Sequence, residues 1–357
     1  MRILQVITSL SIGGAEKLVA DFAIGLRERG HHVEVVAFDS KHTSIMQLLI
    51  DQGRKVHSFH LGGSVYNPKN IWRVARVMRQ GWDIVHSHNT APQLFCAIAS
   101  LCAKAKLVTT EHSSSNRRRA FKPLALVDMM MYSRYSKIIC ISQRAEESLR
   151  QYTNIKSDKI ITINNGIDYH RFSTASPLPD LKSEGITAVT MVAGFRWEKD
   201  QATLIRALKL LPQNFHVYLV GIGVTEPDVR QLAQNEGVAE RVHFMGVRDD
   251  IPQILAASDY VVMSSHFEGL SLSSLEGMAC GKPFFASNVN GLREVVQGAG
   301  VLFEHENADE LADKILWLHQ NERERNEVVQ ACMSRAKAFD ITATIDEYER
   351  VYLSLTN

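Results

Sequence analysis

The chain has 357 residues, of which 45% are hydrophobic and 22% are charged. This balance is typical of a globular protein with a buried core, and it excludes disordered, fibrous and membrane-spanning chains. Lysine and arginine together number 40 against 39 for aspartate and glutamate, so the basic excess of a general nucleic-acid binder is missing. The length predicts two domains, since one domain usually spans about 100–200 residues.

The start of the chain and its cysteines indicate the compartment. The apolar run that ends at Ile7 is too short for a signal-peptide core or a membrane helix. The five cysteines are odd in number, widely spread and without a C-x-x-C pair. Such cysteines are expected as buried thiols in a reducing compartment, not as disulfides or a zinc site. The sequence therefore predicts a cytoplasmic protein.

Short β-rich runs alternate with longer helical patterns through the first half of the chain. Strands are predicted at Ile3–Thr8, His32–Phe38, Lys55–Phe59, Asp83–His86, Leu107–Thr110, Lys137–Ile141 and Ile160–Ile163. Helices are predicted between them at Ala15–Arg29, Asn70–Arg79, Pro92–Cys102 and Arg144–Gln151. Such alternation predicts a parallel sheet with helices on both faces.

The alternation lapses between Asn164 and Gly185, where a linker is predicted, and then restarts. The second set of strands is predicted at Ala188–Ala193, His216–Val220, Val242–Met245, Tyr260–Met263 and Pro283–Ala286. The second set of helices is predicted at Ala202–Leu211, Asp228–Glu236, Leu272–Cys280 and Asp309–Gln320, with a helical tail from Glu322 to Leu355. Two doubly wound sheets bind ligands at the carboxyl ends of their strands.

The motif SHFEGLSLSSLEGMACGKP fills residues 265–283, directly after a predicted strand. A helix is predicted to start near Leu270 or Ser271, and its first free N–H groups suit a phosphate. Glu268 lies just before this helix and Glu276 about two turns into it. Carboxylates at this spacing can accept hydrogen bonds from a sugar and from a ribose of one ligand. Taken alone, two glutamates at this spacing also fit a solvated helix.

The whole string resembles the signature of glycosyltransferase family 4, which comprises retaining enzymes with the GT-B fold. The resemblance covers nearly the whole chain and includes GGAE at 13–16, NGID at 165–168, FRWEKD at 195–200, VGIG at 220–223 and FMGV at 244–247. It implies an α/β fold of two Rossmann-like doubly wound domains that face a central cleft. The acceptor-side domain is expected at 1–170 and the domain that binds the nucleotide-sugar donor at 171–340. A C-terminal helix at 341–357 is expected to pack back on the first domain.

The resemblance also implies roles for residues of the motif. Glu268 is expected to contact the transferred sugar and Glu276 the ribose of the nucleotide. The backbone at Gly269, Leu270 and Ser271 is expected to contact sugar and phosphate. The motif departs from the commoner family pattern in carrying glycine at 277 in place of alanine. That glycine weakens the helix by at most about 1 kcal/mol.

Arg196 and Lys199 follow the strand that opens the second half. Two fixed cations there would stabilise a diphosphate leaving group, which gains charge as the glycosidic bond breaks. An arginine can grip phosphate oxygens in a fork, whereas a lysine acts as a point charge. An arginine and a lysine three residues apart are more often a solvated helix start, so the functional interpretation depends on the family pattern.

Further positions are expected to contact the donor. Gly13 and Gly14 connect a strand to a helix, and glycine lets backbone approach a phosphate. Neither this loop nor Gly221-x-Gly223 completes the G-x-G-x-x-G dinucleotide fingerprint. The resemblance implies a backbone contact from Gly14 to the donor phosphate and a position for Gly221 in the nucleotide pocket. Main-chain contacts to the base are expected from the pair that follows the next strand, Val247 and Arg248.

Histidines at strand ends form the last group of candidates. The resemblance implies that His112 touches the donor sugar near the reaction centre. His86 and His88 lie on one face of a strand and are predicted to line the cleft. Two such histidines do not make a metal site, and the adjacent Asp249-Asp250 pair is predicted to cap a helix. We therefore expect a reaction without metal or cofactor.

The leading hypothesis is transfer of a sugar, with retention, from a nucleotide-diphosphate donor, expected to be a UDP-sugar, to an acceptor hydroxyl. The resemblance favours front-face attack. The same fold also hosts nucleotide-sugar epimerases and pyridoxal-dependent phosphorylases. A non-catalytic sugar-binding protein would share the cleft, but such proteins are usually exported, and the predicted lack of a signal peptide disfavours this alternative.

A basic cluster followed by an apolar segment indicates where an acceptor could lie. The cluster contains Arg117, Arg118, Arg119 and Lys122, and the apolar residues after it are Leu124, Leu126, Val127, Met129, Met130, Met131 and Tyr132. Such a segment can lie on an anionic membrane, to which each basic side chain contributes about 1 kcal/mol. A lipid-linked saccharide at the inner leaflet is then the expected acceptor. In the alternative, the methionines pack into the core and the arginines are solvated.

Overall fold

The structure is a computed structural model that describes every residue except 12, 40, 61–63, 113–123, 154, 156 and 357. The chain divides into two compact units. One unit comprises Met1–Asn165 together with Ile341–Asn357, and the other comprises Gly166–Asp340. Each unit is built around one parallel sheet with helices packed on it, as the alternating sequence pattern predicted.

The first unit contains a seven-stranded sheet in the order β3-β2-β1-β4-β5-β6-β7, as far as the described residues define it. Its strands are β1 (Arg2–Ile7), β2 (His32–Asp39), β3 (Lys55–His60), β4 (Ile84–His88), β5 (Lys106–Glu111), β6 (Lys137–Cys140) and β7 (Ile160–Thr162). Every residue of the central strand β4 is buried. Because helices cover both faces of a parallel sheet, its central strands read as continuous buried runs.

Seven α-helices of the described chain belong to this first unit. They are α1 (Gly14–Glu28), α2 (Ser44–Asp51), α3 (Lys69–Met78), α4 (Thr90–Ala99), α5 (Leu124–Ser133), α6 (Gln143–Tyr152) and, from the far end of the chain, α15 (Ile341–Thr356). Helix α15 packs closely on α1. A side chain at Gly25 would place its Cβ 2.5 Å from the Ile345 Cδ1 atom, and the rings of Phe22 and Tyr348 lie 4.3 Å apart.

The second unit contains a six-stranded sheet in the order β10-β9-β8-β11-β12-β13, within the described part of the chain. Its strands are β8 (Thr187–Val192), β9 (Phe215–Val220), β10 (Val242–Phe244), β11 (Tyr260–Met263), β12 (Phe284–Ser287) and β13 (Val301–Phe303). Its helices are α7 (Tyr169–Ser173), α8 (Gln201–Leu210), α9 (Glu226–Asn235), α10 (Ile251–Ala257), α11 (Leu272–Ala279), α12 (Arg293–Val296), α13 (Ala308–Gln320) and α14 (Glu322–Lys337). One large apolar cluster packs on this sheet.

Several elements differ from the sequence predictions. The expected linker contains α7, which Asp168 caps by accepting a hydrogen bond from the Arg171 N–H at 2.9 Å. The expected helical tail is two helices, separated by the turn at 338–340. The prediction that Asp249-Asp250 caps a helix is correct in position, but no side-chain cap hydrogen bond forms. Asp250 stands before α10 but makes no cap hydrogen bond, because its carboxylate binds the Arg248 guanidinium at 2.8 and 2.5 Å.

The cysteines are mostly buried, and the described helices differ from a membrane span in length or apolarity. Four cysteines are buried free thiols, as predicted, whereas Cys102 is exposed. Burial raises the pKa of the Cys280 and Cys332 thiols to about 12, so both stay protonated and unreactive. None of the helices in the described ranges combines the length and the apolarity needed to cross a membrane.

Candidate active site

The site in the second unit lies where the strand order reverses. Strands β8 and β11 are neighbours in the sheet although two strands separate them along the chain. Their crossover helices leave in opposite directions, so a crevice opens at their carboxyl ends, where doubly wound sheets bind ligands. The segment after β8 carries Arg196 and Lys199, and the segment after β11 carries Glu268.

Lys199 and Glu268 form an ion pair at this reversal point. The Lys199 Nζ atom lies 2.5 Å from the Glu268 Oε1 atom, and the Ser265 hydroxyl donates to the same oxygen at 2.7 Å. The side chains of Lys199 and Glu268 are only 14% and 11% exposed. Breaking a sheltered pair of this kind is costly, because removing one partner leaves the charge of the other without compensation. The pair is therefore an ordered charged group at the expected ligand edge.

The loop after β12 supports the backbone of Glu268. The Glu268 N–H donates to the Asn290 carbonyl at 3.2 Å. Gly291, which follows Asn290, has φ +90, and a Cβ there would lie 2.2 Å from the Glu268 carbonyl oxygen. Only glycine can both adopt this backbone conformation without strain and leave room for that oxygen. Gly291 therefore fixes the position of the Glu268–Gly269 segment, a role that the sequence pattern did not reveal.

Helix α11 begins at Leu272, as the predicted helix Leu272–Cys280 does, and one or two residues after the start expected from the motif. The Ser271 hydroxyl caps it by accepting a hydrogen bond from the Ser274 N–H at 3.3 Å. Glu276 lies half-buried one turn further along the helix. A Cβ at Gly277 would approach Phe284 and Val261 side-chain atoms at 2.8–2.9 Å. The glycine that costs helix propensity thus allows α11 to pack closely on β11 and β12.

The other predicted donor contacts of this unit stand at strand ends. Gly221 has φ +143, and a Cβ there would lie 2.2 Å from the Ala193 carbonyl oxygen. The Gly221 N–H donates to the Gly246 carbonyl at 2.9 Å, which joins the loops after β9 and β10. Val247 is 48% exposed, whereas the Arg248 side chain is engaged with Asp250. Gly269 is exposed and Leu270 half-buried at the turn before α11.

Arg196 is exposed and has no side-chain cap role at the short helical turn that follows it. It lines a pocket of about 430 Å³ together with Trp197, Arg206 and His266. The structure therefore places Arg196 at an accessible surface, and Lys199 in the sheltered pair with Glu268.

In the first unit, His112 is bound to a buried chain of polar groups. The His88 Nε2 atom lies 2.8 Å from the Gln5 Oε1 atom, and its Nδ1 atom lies 2.9 Å from the His112 Nε2 atom. With the amide oxygen of Gln5 as acceptor, His88 donates from Nε2 and accepts from the His112 Nε2–H. This assignment leaves the His112 Nδ1 atom unprotonated as a hydrogen-bond acceptor.

The prediction that His86 and His88 line the cleft is wrong, since both are completely buried. Tyr348 and Tyr352 of α15 contact His86. The His86 Nδ1 atom lies 2.6 Å from the Tyr352 hydroxyl, and its Nε2 atom 2.8 Å from the Thr110 hydroxyl. Burial lowers the pKa of both histidines well below the ordinary value, and it lowers the pKa of His112 to about 4. All three imidazoles are therefore neutral at pH 7.

Gly14 is the first residue of α1, which follows β1 at the carboxyl edge of the sheet. Gly13 stands at the cap position, where no side chain caps the helix. Its φ of −176 is an extended conformation open to any residue. Glu16 lies in the first turn, and burial raises the pKa of its carboxyl. The structure places Gly14 where the sequence expected it, at the start of a helix.

A group of possible metal ligands lies beside the loop of Arg196. Single donor atoms of Asp200, His266 and His305 all lie within 4.8 Å of one another. The sequence gave no sign of this group because its members follow three different strands, β8, β11 and β13. No spacing pattern along the chain connects them.

Two family models match the chain. The model of glycosyltransferase family 4 matches residues 12–171, and that of glycosyl transferases group 1 matches residues 180–334. Together they cover most of both units.

Individual proteins of known name or structure are similar to this chain over most of its length. The chain is 25% identical to N-acetyl-alpha-D-glucosaminyl L-malate synthase of Bacillus anthracis, over 96% of this chain and 94% of that protein. It is 26% identical to UDP-Gal:alpha-D-GlcNAc-diphosphoundecaprenol alpha-1,3-galactosyltransferase of Escherichia coli, over 78% of this chain and 76% of that protein. Its fold is similar to that of Anabaena HepE, solved in complex with UDP and glucose, with a TM-score of 0.84, 24% identity and coverage of 99% and 100%. The chain therefore belongs to glycosyltransferase family 4 and has the GT-B fold.

Proposed function

We propose that this glycosyltransferase uses a UDP-sugar as donor and transfers the sugar, with retention and without metal, to an acceptor hydroxyl. The observation that carries the proposal is the sheltered Lys199–Glu268 pair at the reversal point of the second sheet. The UDP and glucose bound in the similar Anabaena protein support a UDP-sugar donor.

Each charged residue has a distinct task in this proposal. Glu268 accepts hydrogen bonds from hydroxyls of the transferred sugar, and Glu276 accepts them from the ribose. Lys199 and Arg196 stabilise the charge that develops on the diphosphate as the glycosidic bond breaks. The pair orients Lys199 before the donor arrives, so little reorganisation is needed in the transition state.

His112 and the main-chain groups complete the proposed donor contacts. The unprotonated Nδ1 atom of His112 accepts a hydrogen bond from a hydroxyl of the donor sugar. Backbone N–H groups at Gly14, Gly269, Leu270 and Ser271 bind phosphate and sugar oxygens, as groups at a helix N-terminus do. Gly221, Val247 and Arg248 are proposed to line the nucleotide pocket through their main chain.

Retention follows in this proposal from front-face attack, in which the acceptor approaches on the side of the leaving diphosphate. A phosphate oxygen then takes the acceptor proton as the new glycosidic bond forms. An epimerase of the same fold would instead change the donor with no acceptor present, so the two functions differ in what they do to the donor alone.

Mass spectrometry of donor and acceptor mixtures tests this function. We expect transfer from one UDP-sugar in the presence of EDTA, with donor consumption that depends on acceptor. Glu276→Ala is expected to weaken UDP binding about tenfold or more in calorimetry, because a charge-assisted hydrogen bond to the ribose is lost. Loss of transfer on chelation with recovery in magnesium would contradict the metal-independent reaction. Donor turnover without acceptor would favour the epimerase.

The acceptor is proposed to be a lipid-linked saccharide at the cytoplasmic face of an anionic membrane. The diphosphoundecaprenol substrate of the Escherichia coli relative supports this class. The basic cluster of Arg117, Arg118, Arg119 and Lys122 lies outside the described residues. The helix that follows it, α5, exposes four large apolar side chains, those of Leu126, Val127, Met129 and Met130, whereas Met131 is buried. A basic run beside exposed apolar residues suits an anionic membrane surface.

Co-sedimentation with vesicles measures this attachment. We expect binding to vesicles that contain phosphatidylglycerol, release by high salt, and no binding to phosphatidylcholine alone. Changing the three consecutive arginines to glutamate is expected to abolish binding, whereas Arg323→Glu on the exposed face of α14 leaves it unchanged. Protein that stays in the supernatant with anionic vesicles at low salt would instead favour a soluble acceptor, such as the malate named for the Bacillus anthracis relative.

A further inference from the structure

The geometry points to a zinc site formed by His266, His305 and Asp200, to which the neighbouring Glu306 would supply a fourth ligand after its side chain turns. His266 Nδ1 and His305 Nε2 lie 2.7 Å apart, and the three nearest donors fall within 4.8 Å of one another. The Glu306 Oε1 atom lies 3.5 Å from the same His266 nitrogen. Two imidazoles and two carboxylates form a ligand set that zinc accepts in four-coordinate sites.

His266 is held in a fixed position for this task. Its backbone N–H donates to the Glu198 carbonyl at 2.9 Å, and its ring lies 4.4 Å from the Trp197 ring. The side chain is only 10% exposed. A ligand whose ring is fixed by packing loses little freedom on binding a cation. His305, by contrast, is exposed and contacts His266 through its ring.

The distance between the two histidine nitrogens fits a cation after a small movement. Ligands at about 2.0–2.1 Å from a tetrahedral ion lie roughly 3.3 Å from one another. Opening the pair from 2.7 Å to that separation requires a shift of about 0.6 Å, which the exposed His305 ring can make. Zinc then replaces the proton that the two nitrogens otherwise share.

The two carboxylates stand in strained backbone positions. Asp200 has φ +45 and Glu306 has φ +60, a region that costs energy for residues other than glycine. The Asp200 carboxylate is bound by the N–H and the hydroxyl of Thr203, at 3.2 and 2.6 Å. These bonds orient the carboxylate and leave lone pairs for a cation. Burial raises the pKa of Asp200, and a nearby cation would favour its charged form.

A bound ion would join three segments that end at the ligand edge of the second sheet. One of them carries Arg196 and Lys199, the second carries Glu268, and the third follows β13. Protein contacts already connect the first two, since the Ser264 hydroxyl donates to the Asp200 carbonyl at 2.7 Å. Zinc would therefore stabilise this arrangement without taking part in the reaction, and transfer in EDTA is still expected.

Cobalt and zinc titrations of the tag-free, chelator-treated protein test the site. We expect one saturable site for Co²⁺, with the visible absorption of four-coordinate cobalt, and displacement of Co²⁺ by Zn²⁺. Zn²⁺ is also expected to raise the Tm of the wild type. His305→Ala is expected to weaken binding about tenfold or more and to abolish the Tm shift. Because His305 is exposed, this variant should fold.

His243→Ala is the matched control. His243 Nε2 lies 2.9 Å from His216 Nδ1, a similar histidine pair in the same unit, but the pair belongs to no group of three donors among the described residues. We expect this variant to bind Co²⁺ like the wild type. Absence of saturable binding in the wild type, or equal affinity in His305→Ala, would overturn the proposal. Donor binding does not enter these measurements, so they stand independently of the proposed transfer reaction.

Discussion

Replacing Glu268 by alanine is expected to lower kcat by about a hundredfold or more, the usual cost of losing a preorganised electrostatic group. The variant loses the proposed contact to the transferred sugar and also leaves Lys199 without its partner, 2.5 Å away in the intact protein. Lys199→Ala is expected to cause a similar loss, because the diphosphate then lacks a fixed cation. Initial rates at saturating donor measure both effects.

A double-mutant cycle tests whether the two residues act as one unit. If they do, the double variant is expected to be little worse than either single variant, since effects within a unit are strongly non-additive. Glu240→Ala, on an exposed turn of the same unit, is the matched control and should keep the wild-type rate. Single variants with nearly unchanged kcat would remove the pair from the site, and fully additive losses would show that the two residues do not act as one unit.

Acidification is expected to destabilise the first unit through its buried histidines. The pKa of His112 is about 4 in the folded protein against 6.5 in the unfolded chain, because burial disfavours the charged form. The unfolded chain therefore binds a proton that the folded chain rejects, and stability falls as the pH drops below 6.5. At pH 5 this one histidine lowers the free energy of unfolding by about 2 kcal/mol relative to pH 7.5. His86 and His88 act in the same direction.

Denaturant unfolding at pH 7.5 and pH 5 measures this difference. In His112→Gln the difference between the two pH values is expected to shrink by about 2 kcal/mol, because the titrating group is gone. The amide still offers a donor to His88. His42→Gln, at an exposed position, should leave the difference unchanged. A pH dependence identical in His112→Gln and wild type would show that His112 is not held neutral by the fold.

Periodicity and motif spacing predicted the two parallel sheets and placed the main candidate residues at strand ends. The strand β13, which has three residues, was not among the predicted strands. The contact between Lys199 and Glu268 could not be read from spacing, since 69 residues separate them. It exists because β8 and β11 are neighbours in the sheet, which is a property of topology.

Side-chain environment was the least predictable level. His86 and His88 have the alternation of a strand end. Nothing near them in sequence reveals the two tyrosines that contact His86 from more than 250 residues away. The need for glycine at 277 and 291 likewise comes from contacts with distant parts of the chain. A side chain at either position would collide with atoms of other elements. Local propensity therefore assigned only a helix cost to Gly277 and no role to Gly291.

The place of α15 has a consequence for biosynthesis. Tyr348 and Tyr352 fill the core of the first unit, and the Tyr352 hydroxyl lies 2.6 Å from His86, yet both belong to the last helix of the chain. A ribosome that has released residues up to Asp340 has delivered every part of the second unit, while the core of the first unit still lacks these two rings. Because domains generally fold as units during synthesis, the later-made unit can close first and the earlier-made unit last.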